Sequence, residues 1–261
     1  MTNSERMAIG GVLGMYGASE TGQRDRDEDF IACGFFDDVK VGVLCDGMGG
    51  GAKGDVASKT VAMGFVKGVE TLVRSGQGIR KSDDSRQRAY LKIIEKCHDV
   101  VCKISGGPGM SGTTITALVI FYEDGGPKFA DIVHMGDSRC YGISDSGAEL
   151  LTDDHSVSGD MHRSGFIELH NIAKSSGSST LTRNIGDESV SEPDISTIQL
   201  SEISQFLLCC DGVWGPLHDK GGLWLPESPV CSEDSVNSMV SKAIEMGSTD
   251  NCSVLAIDVM S

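Results

Sequence analysis

Short hydrophobic runs separated by polar turns recur along the chain and predict a protein rich in β-strands. These runs lie at 30–36, 39–45, 113–122, 128–135, 139–143, 194–200, 205–210 and 252–259. The first two flank Asp37-Asp38. Because aspartate favours turns, this pair of runs is predicted to form a hairpin that leads to Asp46.

Three segments instead repeat hydrophobic residues every three or four positions, which predicts amphipathic helices. They span Val56 to Val73, Tyr90 to Ile104, and about 233–246. The segment 153–190 is polar and serine-rich, and we interpret it as a mobile, partly helical, flap-like excursion. Since strands come in blocks with helices between them, the predicted fold class is α+β, with antiparallel sheets and helices packed outside. Nothing divides 1–261, so one domain is predicted.

The amino-acid composition argues against some classes of binding partner and indicates the cellular compartment. The 261 residues carry a formal net charge of −16, which argues against a surface for nucleic acid or anionic lipid. The nine cysteines form no matched CxxC pairs, so neither a zinc site nor a disulfide framework is indicated. With no signal-peptide pattern and no transmembrane run, a cytoplasmic protein is expected. A monomer is favoured, although the sequence leaves the oligomeric state open.

Acidic residues stand where four of the predicted strands begin or end. Glu28-Asp29 precedes one strand, Asp46 and Asp211 each follow one, and Asp250 precedes the last. Carboxylates brought together at such ends would repel one another unless a cation neutralised them. Oxygen ligands favour Mg²⁺ or Mn²⁺. Each Asp-Gly pair alone is also a common turn, but all four groups beside strands favour a metal site.

Eight short motifs follow one another in order along nearly the whole chain. They lie at 22–29, 43–50, 111–114, 134–139, 151–156, 181–186, 207–212 and 250–251. The first is an arginine followed by an acidic pair, and the second reads Asp-Gly-Met-Gly-Gly. In this order the motifs resemble those of the metal-dependent (type 2C, PPM) protein serine/threonine phosphatases. The short segment between Asp154 and Leu181 is similar to that of bacterial-type members.

The resemblance implies a central antiparallel β-sandwich flanked by pairs of helices, with a binuclear Mn²⁺ or Mg²⁺ centre at one end. It implies phosphoprotein substrates, attack by metal-activated water, and no phosphoenzyme. Arg24 would hold the substrate phosphate and Asp29 would orient the ligands. The implied metal ligands are Asp46 as the bridge, the Gly47 carbonyl, Glu28 directly or through water, and Asp211 and Asp250 on the other ion.

Two positions depart from the family pattern. Met48 stands where animal members often have histidine, so a histidine general acid is missing there. Gly215 stands where many members carry Asp or Asn. In the family that side chain joins the aspartate corresponding to Asp137 at a third metal. The third site is therefore expected to be weak in this chain.

Several of these residues have simpler interpretations. Arg24 could be a solvated partner of Asp25 or Asp27, and Arg139 is expected to pair with a carboxylate as a structural group. His155 could be a base near the metals, but a loop or capping role is favoured. The pair Cys209-Cys210 is expected to pack in the core.

Two alternatives to an active protein phosphatase stay open from the sequence. One is a catalytically silent pseudophosphatase that binds or regulates partners, and the other is a hydrolase of small phosphoesters on the same scaffold. The sequence leaves open the substrate, the opposing kinase, and the choice between Mg²⁺ and Mn²⁺ in the cell.

Overall fold

A computed structural model describes residues 6–12, 14–49, 53–76, 83–188, 192–227 and 229–260. The strands in chain order are β1 (Arg6–Val12), β2 (Met15–Glu20), β3 (Asp29–Phe36), β4 (Val39–Met48), β5 (Gly112–Thr113), β6 (Ile115–Glu123), β7 (Gly126–Met135), β8 (Arg139–Ser144), β9 (Gly147–Leu150), β10 (Asp194–Gln199), β11 (Gln205–Cys209), β12 (His218–Asp219), β13 (Gly222–Leu223) and β14 (Cys252–Asp258). The helices are α1 (Gly54–Ser75), α2 (Asp83–Ser105), α3 (Val157–Arg163), a 3₁₀ helix (Leu169–Lys174), α4 (Asp211–Leu217) and α5 (Glu233–Glu245).

Two antiparallel sheets form the centre of the fold. The first has the strand order β1-β2-β14-β11-β8-β9, and the second has the order β10-β7-β6-β4-β3, with β5 paired to the end of β4. A small ribbon of β12 and β13 stands apart from both. The predicted hairpin is confirmed as β3 and β4, and its turn places Asp37 at a φ of 51°.

Alternation along the strands buries both faces of the second sheet. On β6, Leu118 and Ile120 belong to the core between the sheets, whereas Ala117 and Val119 belong to the core beneath α1 and α2. Such a period of two is expected because successive side chains of a strand point to opposite faces. Since α4 and α5 pack on the first sheet, the layers run helix, sheet, sheet, helix. The predicted α+β class and layer order are therefore confirmed.

Some elements were not predicted from the sequence. The structure adds β1, β2 and β9, of which β1 and β9 are the edges of the first sheet. It also continues the chain after β11 directly into helix α4, which contains Pro216. The excursion at 153–190 contains α3 and the 3₁₀ helix, in agreement with the partly helical prediction, and its residues 189–190 lie outside the described residues. No helix within the described ranges is long and apolar enough to cross a membrane.

Candidate active site

The hairpin β3–β4 brings the first two acidic groups together. Asp29 and Asp46 are direct partners in the antiparallel register, so their backbones face each other at one end of the sheet. Glu28 precedes β3, and its carbonyl accepts a hydrogen bond from the Gly47 amide at 3.0 Å. Asp46 is held further by Thr114, whose hydroxyl accepts from the Asp46 amide at 2.9 Å. The predicted metal ligands Glu28, Asp46 and Gly47 therefore lie at the same end of the second sheet.

The first sheet supplies the other two aspartates. Strands β11 and β14 are antiparallel neighbours, with Cys209 opposite Val254. Asp211, which follows β11, and Asp250, which precedes β14, therefore lie at the same end of that sheet. Close packing fixes this end, because a Cβ added at Gly212 would lie 2.0 Å from the carbonyl oxygen of Asn251.

The carboxylates of the two sheets face the same small volume. Burial, and then the negative charges of Asp29 and Asp211, hold the pKa of Asp46 well above its usual range. Asp137 and Asp250 raise it further. The pKa of Asp211 is raised to about 6, first by burial and then by Asp250, against the opposing effect of hydrogen bonds with Asp46 and Gly212. So many mutually repelling carboxylates in one place favour a cation between them.

Asp29 gives the strongest indication of a bound cation in the acidic cluster, which comprises Asp29, Asp46, Asp211 and Asp250. Its side chain is buried, and neither carboxylate oxygen has a hydrogen-bond partner among the described residues. Burial and the charge of Asp27 hold its pKa well above the usual range. An unpartnered buried carboxylate is costly for a folded protein unless a cation or a bound water satisfies it. The orphaned oxygens therefore fit a site for a hard cation.

Cys210 lies closer to the cluster than its sequence suggested. One ligand atom from each of Asp29, Asp46 and Cys210 lies within 4.8 Å of the others. Burial and the charge of Asp29 raise the pKa of the thiol well above its usual range, so it stays protonated. The thiol donates to the carbonyl of Asn251 at 3.3 Å, which leaves oxygen atoms as the donors for a cation. The prediction that Cys209 and Cys210 are buried in the core is confirmed.

Glu28 stands at the rim of the cluster. Burial, and then the charge of Asp55, raise the pKa of its carboxyl group, while Arg24 lowers it. A Cβ at Gly54 would lie 2.5 Å from Oε1 of Glu28, so the start of α1 passes directly against this carboxyl group. The glycine-rich passage between β4 and α1 thus shapes the cluster, although Gly50 and Gly51 of that passage lie outside the described residues.

Arg24 pairs with a member of the acidic cluster. Its Nη2 atom lies 2.6 Å from Oδ2 of Asp250, and 56% of its side chain is exposed. The interpretation of Arg24 as a partner of Asp25 or Asp27 is therefore wrong for this structure. Asp27 instead accepts from the Ser19 hydroxyl at 2.6 Å and from the backbone amide of the residue two positions later. Arg24 is thus placed at the rim, accessible to a phosphate group.

Asn251 holds the loop that carries Arg24 and Glu28, a role that the sequence did not reveal. Its Oδ1 accepts from the Glu28 amide at 2.9 Å. Its Nδ2 donates to the carbonyls of Thr21 and Arg26 at 2.9 and 2.8 Å. The only available signal was its position after Asp250 in the last motif, because an amide side chain has no charge or periodicity to mark it.

Asp137 lies in the turn between β7 and β8, behind the cluster. Its pKa is raised well above the usual range, first by burial and then by the charges of Asp211 and Asp154. Its carbonyl accepts from Nε1 of Trp214 at 2.8 Å. A Cβ added at Gly215, the residue after Trp214, would meet Ala173 alone within 4 Å, at a distance of 3.7 Å. The space that a carboxylate would fill there is open.

His155 and Arg139 lie outside the acidic cluster. Nδ1 of His155 accepts from the Gly136 amide at 3.1 Å, so the ring proton sits on Nε2 and is donated to Asp194 at 2.9 Å. His155 therefore lies in the loop before α3, in agreement with the favoured loop role, while the N-cap of that helix is Ser156. Arg139 forms a buried ion pair with Asp154, which confirms the prediction of a structural carboxylate partner.

A cleft of about 280 Å³ opens beside the cluster. Asp211 and Asp250 line it together with Lys174 and Ser178 of the excursion. Gly215 contributes to the wall between them. A substrate group placed in this cleft would meet the acidic cluster and the excursion at once.

The family model described as Protein phosphatase 2C matches residues 37–252 of this chain. The chain therefore belongs to the protein phosphatase 2C family, a metal-dependent enzyme family of serine/threonine protein phosphatases.

Individual relatives agree with this membership. The serine/threonine protein phosphatase PstP of Mycobacterium tuberculosis is 27% identical over 243 residues, which cover 91% of this chain and 43% of that protein. The chain thus spans less than half the length of this relative. Stp1 of Staphylococcus aureus superposes with a TM-score of 0.78 over 100% of both chains at 24% identity. The catalytic domain of PstP, solved in complex with two manganese ions, has a TM-score of 0.72 at 25% identity, covering 95% of this chain and 98% of that one.

Proposed function

We propose that this chain hydrolyses phosphoserine and phosphothreonine in proteins, using two Mn²⁺ or Mg²⁺ ions held by the acidic cluster. The observation that carries the proposal is the convergence of half-buried carboxylates from both sheets around the fully buried Asp29, whose oxygens have no partner among the described residues. The two manganese ions in the PstP catalytic domain support a two-ion centre. We further propose a single-domain, cytoplasmic, monomeric enzyme.

The ligand set follows from position in the cluster. Asp46, near the end of β4, would contact both ions, with the Gly47 carbonyl and Glu28 on the side of the second sheet. Asp211 and Asp250 would hold the other ion from the first sheet. Asp29, deeper in the core, would orient its neighbour Asp46. Asp137 would serve a third ion, at which Gly215 supplies no side chain.

The protein's own groups prepare the substrate for attack. The ions, when bound, would activate water for attack on phosphorus and offset the negative charge of the phosphoryl group. Arg24 stands at the rim and would bind the phosphate oxygens through its guanidinium fork. Its present partner, Asp250, would then be occupied by the metal, which frees Arg24 for the phosphate. The cleft beside Asp211 would admit the peptide.

The test is phosphate release from a phosphothreonine peptide by the purified chain with Mn²⁺, with Mg²⁺ and with EDTA. Asp211→Asn is the test variant, because it keeps the shape and removes one ligand charge. Asp145→Asn is the matched control, since Asp145 is exposed in the turn between β8 and β9. Metal-dependent release that Asp211→Asn abolishes and Asp145→Asn retains is the expected result.

Other outcomes would separate the alternatives. Metal binding without release from any phosphopeptide would indicate a pseudophosphatase. Turnover of p-nitrophenyl phosphate and nucleotides without turnover of phosphopeptides would indicate a hydrolase of small phosphoesters. Normal release by Asp211→Asn would show that the ligand assignment is wrong.

A further inference from the structure

A long groove runs between helices α1 and α2 on the outer face of the second sheet. Its volume is about 660 Å³. On α1 it is lined by Thr60, Gly64 and Gly68, and its floor on α2 is formed by Ile93 and Cys97. A Cβ at Gly68 would lie 2.7 Å from Ile93, and one at Gly64 would lie 3.0 Å from Sγ of Cys97. The two glycines therefore let α2 settle against the backbone of α1.

The rim of the groove on α2 is basic. Arg88, Lys92 and Lys96 recur at every fourth position, so they lie on one face of the helix, and all three line the groove. None of them forms an ion pair with another described residue. Glu95 and Asp99 lie on the same helix, but no carboxylate is among the described residues that line the groove.

This positive rim contrasts with the charge of the rest of the chain. The whole protein carries a formal net charge of −16, with 22 basic against 38 acidic residues. Three unpaired cations on one edge of a groove are therefore a local reversal of the overall charge. Such a reversal attracts an acidic partner and repels a basic one.

The floor and far end of the groove are apolar. Val100 lines it with 44% of its surface exposed, and Leu72 and Ala89 are half-buried along its length. The lining positions on α2 run from Ser85 to Val100 at helical spacing, a length of about 22 Å or four turns. A groove of this length between two parallel walls accepts a third helix, with its apolar side on the floor.

We propose that this groove is a docking site for an amphipathic helix of a partner protein that carries apolar residues on one side and Asp or Glu along its edge. The apolar side would cover Val100 and Leu72, and the acidic edge would meet Arg88, Lys92 and Lys96. The site is separate from the acidic cluster, so it adds partner recognition to the proposed phosphatase and does not depend on turnover.

The test is selection from a peptide-display library of helical segments of about 18 residues, a length that matches the groove. Peptides are selected on the full chain and then measured by fluorescence anisotropy. The test variant is Lys92→Glu/Lys96→Glu, and Lys220→Glu/Lys242→Glu is the control that makes the same change in net charge elsewhere. Val100→Asp tests the apolar floor at an exposed position. The far-UV circular dichroism and thermal unfolding of each variant report that it is folded.

We expect selected peptides to carry apolar residues at positions i, i+3, i+4 and i+7 with flanking Asp or Glu. Their affinity should fall at least about tenfold for Lys92→Glu/Lys96→Glu and for Val100→Asp, and stay unchanged for the control. Failure to select any peptide, or peptides that bind the test and control variants equally, would overturn the proposal. Concentration-dependent dimers that Lys92→Glu/Lys96→Glu abolishes would assign the groove to a second copy of the chain and overturn it too.

Discussion

Arg139 and Asp154 form a buried ion pair with two parallel hydrogen bonds, from Nε to Oδ1 and from Nη2 to Oδ2, both at 2.8 Å. The side chain of Arg139 is 0% exposed and that of Asp154 is 1% exposed. The guanidinium carbon also lies 3.5 Å from the centroid of the Trp214 ring. The pair therefore ties β8, the loop after β9 and α4 together behind the acidic cluster.

Breaking this pair is expected to destabilise the protein strongly. Asp154→Asn keeps the shape of the side chain but leaves the Arg139 charge buried and uncompensated, so the free energy of unfolding should fall by about 3 kcal/mol or more. Urea denaturation measures the change. Lys67→Ala, which breaks an exposed pair with Glu70, should cost no more than about 1 kcal/mol. Equal losses from both variants would contradict the structural role of Arg139.

Asp46 should destabilise the metal-free protein and stabilise the metal-bound one. In EDTA, Asp46→Asn removes a carboxyl group whose ionisation is opposed by burial and by the charges of Asp29 and Asp211, so the variant should be more stable than the wild type by about 1 kcal/mol. With saturating Mn²⁺ the order should reverse, because binding to the native state stabilises the wild type. Thermal unfolding with and without Mn²⁺ measures both. A variant less stable than the wild type in EDTA would argue against repulsion in the cluster.

His155 should make stability depend on pH. Burial, and then the neighbouring His134, lower its pKa from 6.5 to about 3. Burial tends to raise the pKa of its partner Asp194, but hydrogen bonds from Arg183 and His155 outweigh it and lower that pKa to about 2. The folded state therefore keeps His155 neutral between pH 6.5 and 3, while the unfolded state takes up a proton. The contribution of neutral His155 to the free energy of unfolding is therefore fully present above pH 6.5, and it is lost as the pH falls towards 3.

From this single histidine, the free energy of unfolding should decrease by up to about 1.4 kcal/mol for each pH unit below the ordinary pKa of histidine. His155→Gln should remove that part of the slope between pH 6 and 4, whereas the contributions of the other histidines remain in both proteins. Urea denaturation in EDTA across this range of about two pH units measures the difference. Parallel pH profiles for the variant and the wild type would contradict the neutral assignment.

Gly215→Asp should add a carboxylate at the third metal position. A side chain has room there, since its Cβ would meet Ala173 at 3.7 Å and nothing else within 4 Å. The variant should fold with a loss below about 1 kcal/mol and bind one further Mn²⁺ in calorimetric titration. Adding Asp137→Ala to the Gly215→Asp variant should abolish the binding of this additional ion. In the wild-type background, Asp137→Ala should change metal binding less.

Gly212→Asp is the matched control for this insertion, because its Cβ would lie 2.0 Å from the carbonyl oxygen of Asn251. That variant should lose metal binding and stability together. A Gly215→Asp protein that binds no additional Mn²⁺ would show that Asp137 is not placed to share an ion with position 215.

The hydrophobic pattern predicted the strands that carry the site because these are buried on one or both faces. β4, β11 and β14 consist of nearly continuous apolar residues, and predicted acidic positions lie at or next to their ends. Strand β2 escaped prediction since it is rich in small residues, and it owes its conformation to pairing with β1 on one side and β14 on the other. Helix α4 escaped because Gly215 and Pro216 disfavour helix in isolation.

The sequence predicted those residues of the candidate site that carry a charge next to a hydrophobic run. Asp46, Asp211 and Asp250 stood out because each adjoins a hydrophobic run, and the structure brings them to one end of the two sheets. The roles of Asn251 and Cys210 depend on contacts between residues distant in the chain, which no local pattern records. The pairing of Arg24 with Asp250 was missed for the same reason, since closer aspartates offered a simpler partner.

The glycines that follow two of the aspartates constrain how this centre can vary. A Cβ at Gly47 would lie 2.3 Å from the carbonyl oxygen of Gly54, and Gly212 is equally crowded by Asn251. Under the ligand assignment proposed above, the first residue of each Asp-Gly pair is needed for its charge, and the crowding requires the second to lack a side chain. In a saturation mutagenesis screen, positions 47 and 212 should tolerate as few residues as positions 46 and 211. Variation between homologues is then expected to concentrate on the excursion across the cleft, where change alters what is bound and leaves the reacting centre in place.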